Sequence, residues 1–330
     1  MMRRSLAVLA LGACCRFAHA GAPLELVATI PMPHVAGRID HLALDAAGRR
    51  LFVAALGNGT LEVIDLARGR DERSLRGFAE PQGLALAPES NRLFVAEGGA
   101  GRVDVLDART LSVLARIGRL PDADNLRYDA ASRAVLAGYG DGALRLIDAG
   151  TGKPRGEIRL PGHPEAFEPE PGGARVFVNV PAAAAVVVAE RATRKAVAAW
   201  KLPGARANFP LALDARGRRL FVGARAPAQM LVYDMDAGRL VARVPIGRDA
   251  DDIFFDPGRR RVYVVCGEGR VDVFRQEAPD RYVREASVAT APRARTGLLA
   301  PGGDKLYVAA PAAGASPARV LVYRTGENGL

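Results

Sequence analysis

The 330-residue sequence predicts an all-β fold, a seven-bladed β-propeller of four-stranded antiparallel blades, on three observations. An apolar triplet with a bulky or branched centre recurs seven times, its centres 41 to 44 residues apart. A second apolar run follows each centre by about 12 residues, with hairpin-turn residues between the two. The last repeat stops one strand short, while an unmatched strand stands near the start of the chain.

A period near 42 residues is the length of one four-stranded blade. In the first period Leu42-Ala43-Leu44 supplies an innermost strand A, and Asp45-Ala46-Ala47-Gly48 turns the chain into strand B at Leu51-Phe52-Val53. Gly57-Asn58-Gly59 then leads to strand C at Val63-Ile64-Asp65. The second period repeats this with Leu84-Ala85-Leu86, Leu93-Phe94-Val95 and Val105-Leu106-Asp107, and adds an outer strand D at Val113–Ile117. The third offers Ala134-Val135-Leu136, the turn Gly140-Asp141-Gly142 and Leu146-Ile147-Asp148; the fourth offers Val176-Phe177-Val178 and Val187-Val188. Leu211-Ala212-Leu213, Leu220-Phe221-Val222, Val232-Tyr233-Asp234 and Leu240–Val244 make the fifth, and Val262-Tyr263-Val264 with Val273-Phe274 the core of the sixth. The seventh has Leu306-Tyr307-Val308 and Val322-Tyr323 but no strand D. Leu24–Ile30 is the expected replacement, pairing with the last blade so that the ring closes without a disulfide and without open edges.

These triplets and the Val-Ile-Asp-like strands after them, as in Arg50-Leu51-Phe52-Val53-Ala54 and Leu61-Glu62-Val63-Ile64-Asp65, resemble the YVTN-repeat propellers, the group that includes bacterial YncE-type proteins. The resemblance implies a seven-bladed ring over the whole mature chain and leaves function open, because propellers host binding proteins, lyases, lactonases and scaffolds.

Residues 1–20 read as a secretory leader. Arg3-Arg4 precede an apolar stretch from Leu6 to Ala13, and Ala18-His19-Ala20 offers small residues for cleavage. The alternative is a lipobox at Leu11-Gly12-Ala13-Cys14 with lipid anchoring at Cys14. Either way the expected location is periplasmic or secreted, with a single propeller domain over residues 21–330. Cleavage after Ala20 removes three arginines and no acids, so the formal charge falls from +10 to +7, and Cys266 is left as the lone cysteine. No run reaches the ~18 apolar residues of a membrane span. Nucleic acid is not an expected partner: the arginines sit singly or in turn clusters such as Gly258-Arg259-Arg260-Arg261, not in a groove with stacking aromatics. A monomer is expected.

The chemistry is expected where strand D returns to strand A. In a closed ring those seven connectors converge on one mouth of the central channel. Counted along the repeat, Asp40, Gln82, Asp124, Glu165, Phe209, Asp251 and Arg295 fall at one position, and His41, Gly83, Asn125, Ala166, Pro210, Asp252 and Thr296 at the next. Arg38, His163 and Asn208 lie in the same connectors, as does His34. Aspartates here also serve as turn caps, and a histidine can brace neighbouring blades. Yet so many acids at one mouth raise one another's pKa values and call for a compensating cation.

Two uses follow. As a recognition pocket, the mouth binds a small or anionic molecule, with Arg38 and Arg295 gripping an anionic group while Asp and His read its donors. As the alternative, Asp40, Asp124, Glu165 and Asp251, with Asn125 or Asn208, hold a divalent cation such as Ca²⁺, and His41 or His163 moves protons in a hydrolase or lyase. That second arrangement is similar in kind to the lactonase propellers of the gluconolactonase type, without a residue-by-residue match. The sequence lacks Cys-x-x-Cys-His, His-Glu-x-x-His and Gly-x-Ser-x-Gly motifs. Cys266, at the end of a strand B, is expected to pack rather than to react, although its position allows it to face the mouth.

Overall fold

The computed structural model describes residues 22–45 and 49–326. The expected leader at residues 1–20, with Cys14, and residues 46–48 of the expected turn lie outside the described residues.

The chain enters as strand β1 (Leu24–Met32) and then builds six blades in order. Blade 1 is β2 (Leu42–Leu44), β3 (Arg50–Ala55), β4 (Thr60–Asp65) and β5 (Arg70–Arg76); blade 2 is β6 (Pro81–Ala87), β7 (Arg92–Glu97), β8 (Arg102–Asp107) and β9 (Val113–Ile117). Blade 3 is β10 (Leu126–Asp129), β11 (Ala134–Tyr139), β12 (Ala143–Asp148) and β13 (Pro154–Arg159); blade 4 is β14 (Phe167–Pro169), β15 (Arg175–Val180), β16 (Ala185–Glu190) and β17 (Lys195–Lys201). Blade 5 is β18 (Arg206–Asp214), β19 (Arg219–Ala226), β20 (Ala228–Asp234) and β21 (Leu240–Pro245); blade 6 is β22 (Ala250–Asp256), β23 (Arg261–Cys266), β24 (Arg270–Ala278) and β25 (Arg281–Ala289). Blade 7 is β26 (Thr296–Leu299), β27 (Lys305–Ala310) and β28 (Ala318–Thr325), completed by β1 on its outer edge. No helix of the described residues is long and apolar enough to cross a membrane.

The triplets are apolar at every position because strand B is covered on both faces. Leu51 and Val53 pack toward blade 7 against Tyr307 and Val320, while Phe52 between them packs toward blade 2 against Leu93 and Val95. Successive side chains of a strand point to opposite faces, so burial on both faces turns the usual alternation into a continuous apolar run. The backbone register moves one triplet. Phe52 pairs with Ala43 and Leu136 with Arg127, and Arg50 pairs with Asp65 as Ala134 does with Asp148. The blade 3 triplet is therefore Val135-Leu136-Ala137, one residue later than apolar content alone suggests.

One seam departs from its neighbours. Strand C carries a buried acid in blades 1, 2 and 6. Asp104 is held by Arg102 and Arg116, and Asp272 by Arg270 and Arg284. Glu62 has Thr60 and, at 3.0 Å, Ser74 in place of the arginines. Its neighbour Asp71 is also buried, and burial followed by the charge of Glu62 pushes its carboxyl up to about 6. Ser74 occupies the cross-strand position that Arg116 fills in blade 2. Ser74→Arg is therefore expected to stabilise the protein by ~1 kcal/mol at pH 7.5, read as a raised melting temperature. An unchanged or lowered value removes the charge deficit as an account of this seam.

Candidate functional site

Connector and strand B are tied together by the same pair of backbone hydrogen bonds in three blades. Asp40 N–H donates to Ala54 O at 2.8 Å, Asp124 N–H to Gly138 O at 3.0 Å and Glu165 N–H to Asn179 O at 3.0 Å. The return bonds run from Ala54 to His41, Gly138 to Asn125 and Asn179 to Ala166. Two residues before the equivalent position, five connectors bend through a left-handed residue: Glu80, Asp122, Ala207, Asp249 and Arg293, with φ between 52° and 65°. A non-glycine residue in that region costs on the order of 1 kcal/mol, and at Asp122 the bend leads directly into the paired bonds of Asp124 and Asn125.

The result is a narrow polar recess at one end of the axial channel, with about 20 Å³ free, room for a water-sized group. Arg38, Asp40, His41, Asp124, Asn125, Glu165, Ala166, Phe209 and Asp251 line it, from five of the seven connectors. Arg295 of blade 7 reaches the same charges, its Nε 2.9 Å from Asp251.

Inside this recess the acids fall into two groups. Asp40 and Asp251 have arginine partners: Arg38 lies 2.7 Å from Asp40, and both Arg295 and Arg225 contact Asp251. Arg225 also stacks on Phe209, 3.7 Å from the ring centroid, and reaches Asp249. Asp124 and Glu165 have no arginine within ion-pair distance among the described residues. Their neighbour is His163, whose Nε2 lies 3.7 Å from Asp124 Oδ2. Burial, followed by the charge of Asp124, pushes the Glu165 carboxyl up to about 7, and burial pushes Asp40 up to about 7 despite Arg38. The Asp124 carboxylate raises His163 to about 9 against the opposing effect of burial.

Deeper in the channel, Arg127 and Glu168 of adjacent blades form an ion pair at 2.8 Å. Arg127 also donates to Asn125 Oδ1 at 3.1 Å, which ties this pair to the mouth. Asp252 faces the same deeper space, accepts from Gly297 N–H at 2.8 Å and lies 3.8 Å from His41 Nδ1. His41 thus stands between Asp40 and Asp252. Arg127, Glu168 and Arg225 are the members that sequence reasoning missed. Arg127 and Glu168 occupy the strand A position that is Ala43, Ala85, Ala212, Phe254 and Leu298 elsewhere, a signal readable only once blade 3 is in the right frame.

Several expected members sit elsewhere. Gln82 turns into the wall, its Nε2 3.5 Å from Ala123 O, and does not line the recess. Asn208 is fully buried and donates to Asn179 Oδ1 and Ala185 O, bracing blade 5 against blade 4. Asn125 has its carbonyl oxygen engaged by Arg127. Arg38 and Arg295, expected to grip an anion, pair with the protein's own carboxylates Asp40, Asp249 and Asp251. His34 contacts Asp71 at 3.3 Å, away from the mouth. Cys266 is buried between blades 5 and 6, with its thiol pushed up to about 12 by burial, and does not face the mouth.

No family model matches the chain, and no curated protein matches it. Among solved structures, a chain of Kuenenia stuttgartiensis hydrazine synthase shares the fold at TM-score 0.74 and 16% identity, over 88% of this chain and 97% of that one. A chain of the mitotic checkpoint complex shares it at TM-score 0.79 and 14% identity, over 99% and 98%. At such identities the likeness concerns the propeller fold alone.

Proposed function

We propose that this is an exported binding propeller whose axial mouth takes a small polar ligand through a cationic or hydroxyl-bearing group. The observation that carries this reading is the split among the acids. Arginines pair with Asp40 and Asp251, whereas Asp124 and Glu165 face the recess beside His163 with no arginine in ion-pair distance among the described residues. An acceptor-rich wall of this kind favours N–H and O–H donors over anions. Export rests on the leader-like residues 1–20. Hydrolysis is a second reading, favoured by the approach of Asp124, Glu165 and His163 to one another, and it requires a metal ion to activate water.

The test is a thermal-shift panel of polyamines, amino sugars, polyols and dicarboxylates. Amines or polyols are expected to raise the melting temperature, and the double variant Asp124→Asn, Glu165→Gln to abolish that rise while remaining folded. Stabilisation by dicarboxylates alone would restore the anion-gripping reading. A silent panel would end the small-molecule proposal.

A further inference from the structure

Building on the mouth as a ligand site, we propose that Asp124, Glu165 and Nε2 of His163 form a site for a first-row transition metal ion of the Zn²⁺ class. One ligand atom from each of the three lies within 4.8 Å of the other two. The His163 Nε2 to Asp124 Oδ2 separation, 3.7 Å, is too long for a hydrogen bond. It is close to the ~3.3 Å edge between two ligands on a tetrahedral ion with bonds near 2 Å.

The second observation concerns the other ring nitrogen. His163 Nδ1 lies 2.7 Å from the carbonyl oxygen of Gly140, an acceptor, so Nδ1 carries the proton. That bond anchors the ring from outside the cluster and turns Nε2 toward the carboxylates. Metal-binding histidines are oriented in this way, with the distal nitrogen donating to a backbone carbonyl or a carboxylate. In this structure the carbonyl comes from the β11–β12 turn of blade 3, so the blade that supplies Asp124 also sets the ring supplied by blade 4.

The donor set also selects the ion. The all-oxygen cage expected for Ca²⁺ is largely committed elsewhere: Asp40 to Arg38, Asp251 to two arginines and Asn125 to Arg127, while Asn208 does not line the recess. What remains is one imidazole and two carboxylates, a set that suits zinc, cobalt or nickel better than a hard ion needing six to eight oxygens. Beside the three protein ligands the recess has about 20 Å³ free, room for one water or one donor atom of the mouth's ligand.

The experiment is a titration of the EDTA-treated full chain with Co²⁺, read by its visible ligand-field bands, followed by displacement with Zn²⁺. One ion per chain is expected. His163→Ala should weaken binding by about 100-fold or more, and Glu165→Gln should weaken it measurably, with circular dichroism unchanged. His34→Ala, at an exposed imidazole away from the mouth, should bind as the unaltered chain does. Absent bands, bands that survive His163→Ala, or Ca²⁺ bound in preference to Zn²⁺ would overturn the site. Repeating the ligand panel on metal-free protein separates the two proposals. Amine or polyol binding without cobalt bands removes the metal and keeps the pocket. Cobalt binding with a silent panel keeps the metal and removes the small-molecule reading.

Discussion

A chain beginning at Pro33, without β1, is expected to lose its cooperative folded state. Strand β1 pairs with β28 from Leu24 opposite Thr325 to Met32 opposite Ala318, with a bulge between Leu26 and Ala28. It buries Leu24, Ile30 and Met32, each no more than 3% exposed. At roughly 1.5–3 kcal/mol per buried apolar side chain, the strand contributes about 5–9 kcal/mol. That is comparable with the ~5–15 kcal/mol by which whole domains are stable. Its removal also uncovers β28 as an edge strand, inviting association between chains. Circular dichroism melting and light scattering read both effects. Milder variants keep the claim testable if the shortened chain does not fold: Ile30→Ala and Met32→Ala should each cost ~2–4 kcal/mol. Val27→Ala, at a side chain 43% exposed on the same strand, should stay within about 0.5 kcal/mol. A shortened chain that melts like the full one would show that the ring does not depend on this closure.

The architecture was legible because the physics of the ring repeats. Each strand B is sandwiched between two blades, so each shows an uninterrupted apolar triplet, and seven triplets at a near-constant spacing leave few alternatives. The single frame error has a local cause. Blade 3 reads Ala134-Val135-Leu136-Ala137, four apolar residues in a row, and pattern alone cannot choose between two overlapping triplets. Only the pairing of Leu136 with Arg127 decides it.

The mouth was less legible, for two physical reasons. Equivalence along the repeat shows which backbone positions converge, and it brought Asp40, Asp124, Glu165 and Asp251 together. It does not say which acids are neutralised, because the neutralising group need not come from a connector. Arg225 is on strand β19, and its guanidinium reaches Asp251 by lying over Phe209. Nor does repeat position fix where a side chain turns. Asn208 and Gln82 lie in the mouth's connectors yet direct their amide N–H groups to Asn179, Ala185 and Ala123. Amides find backbone and amide partners within the wall, whereas a carboxylate without a cation is driven toward solvent or an ion.

That imbalance has a consequence for the whole molecule: EDTA-treated protein should be more stable at pH 5 than at pH 7.5. Burial raises Asp40 to about 7, Asp252 to about 6 and Asp71 to about 6, from an ordinary 3.8. Asp40 meets Arg38 and Arg295 on one side and Asp124 and Asp251 on the other; Asp252 meets His41, Arg127 and Asp251; Asp71 meets His34 and Glu62. In the unfolded chain all three titrate near the ordinary value, so folding takes up protons between about pH 4 and pH 7. Stability therefore falls as pH rises through that window. Glu170 works in the opposite sense, held down to about 2 by Arg175 and Arg218, and its contribution is lost as pH falls below the ordinary glutamate range. The maximum accordingly sits near pH 5. The three aspartates together should be worth on the order of 3 kcal/mol between pH 5 and pH 7.5, about 5 °C in melting temperature for a chain of this size. Asp40→Asn imitates the protonated carboxyl: it should raise the melting temperature at pH 7.5, leave it unchanged at pH 5 and flatten the slope between them. A profile that is flat or rises from pH 5 to pH 7.5 would mean that these carboxylates are compensated in the folded ring, and the charge deficit at its mouth would then explain nothing.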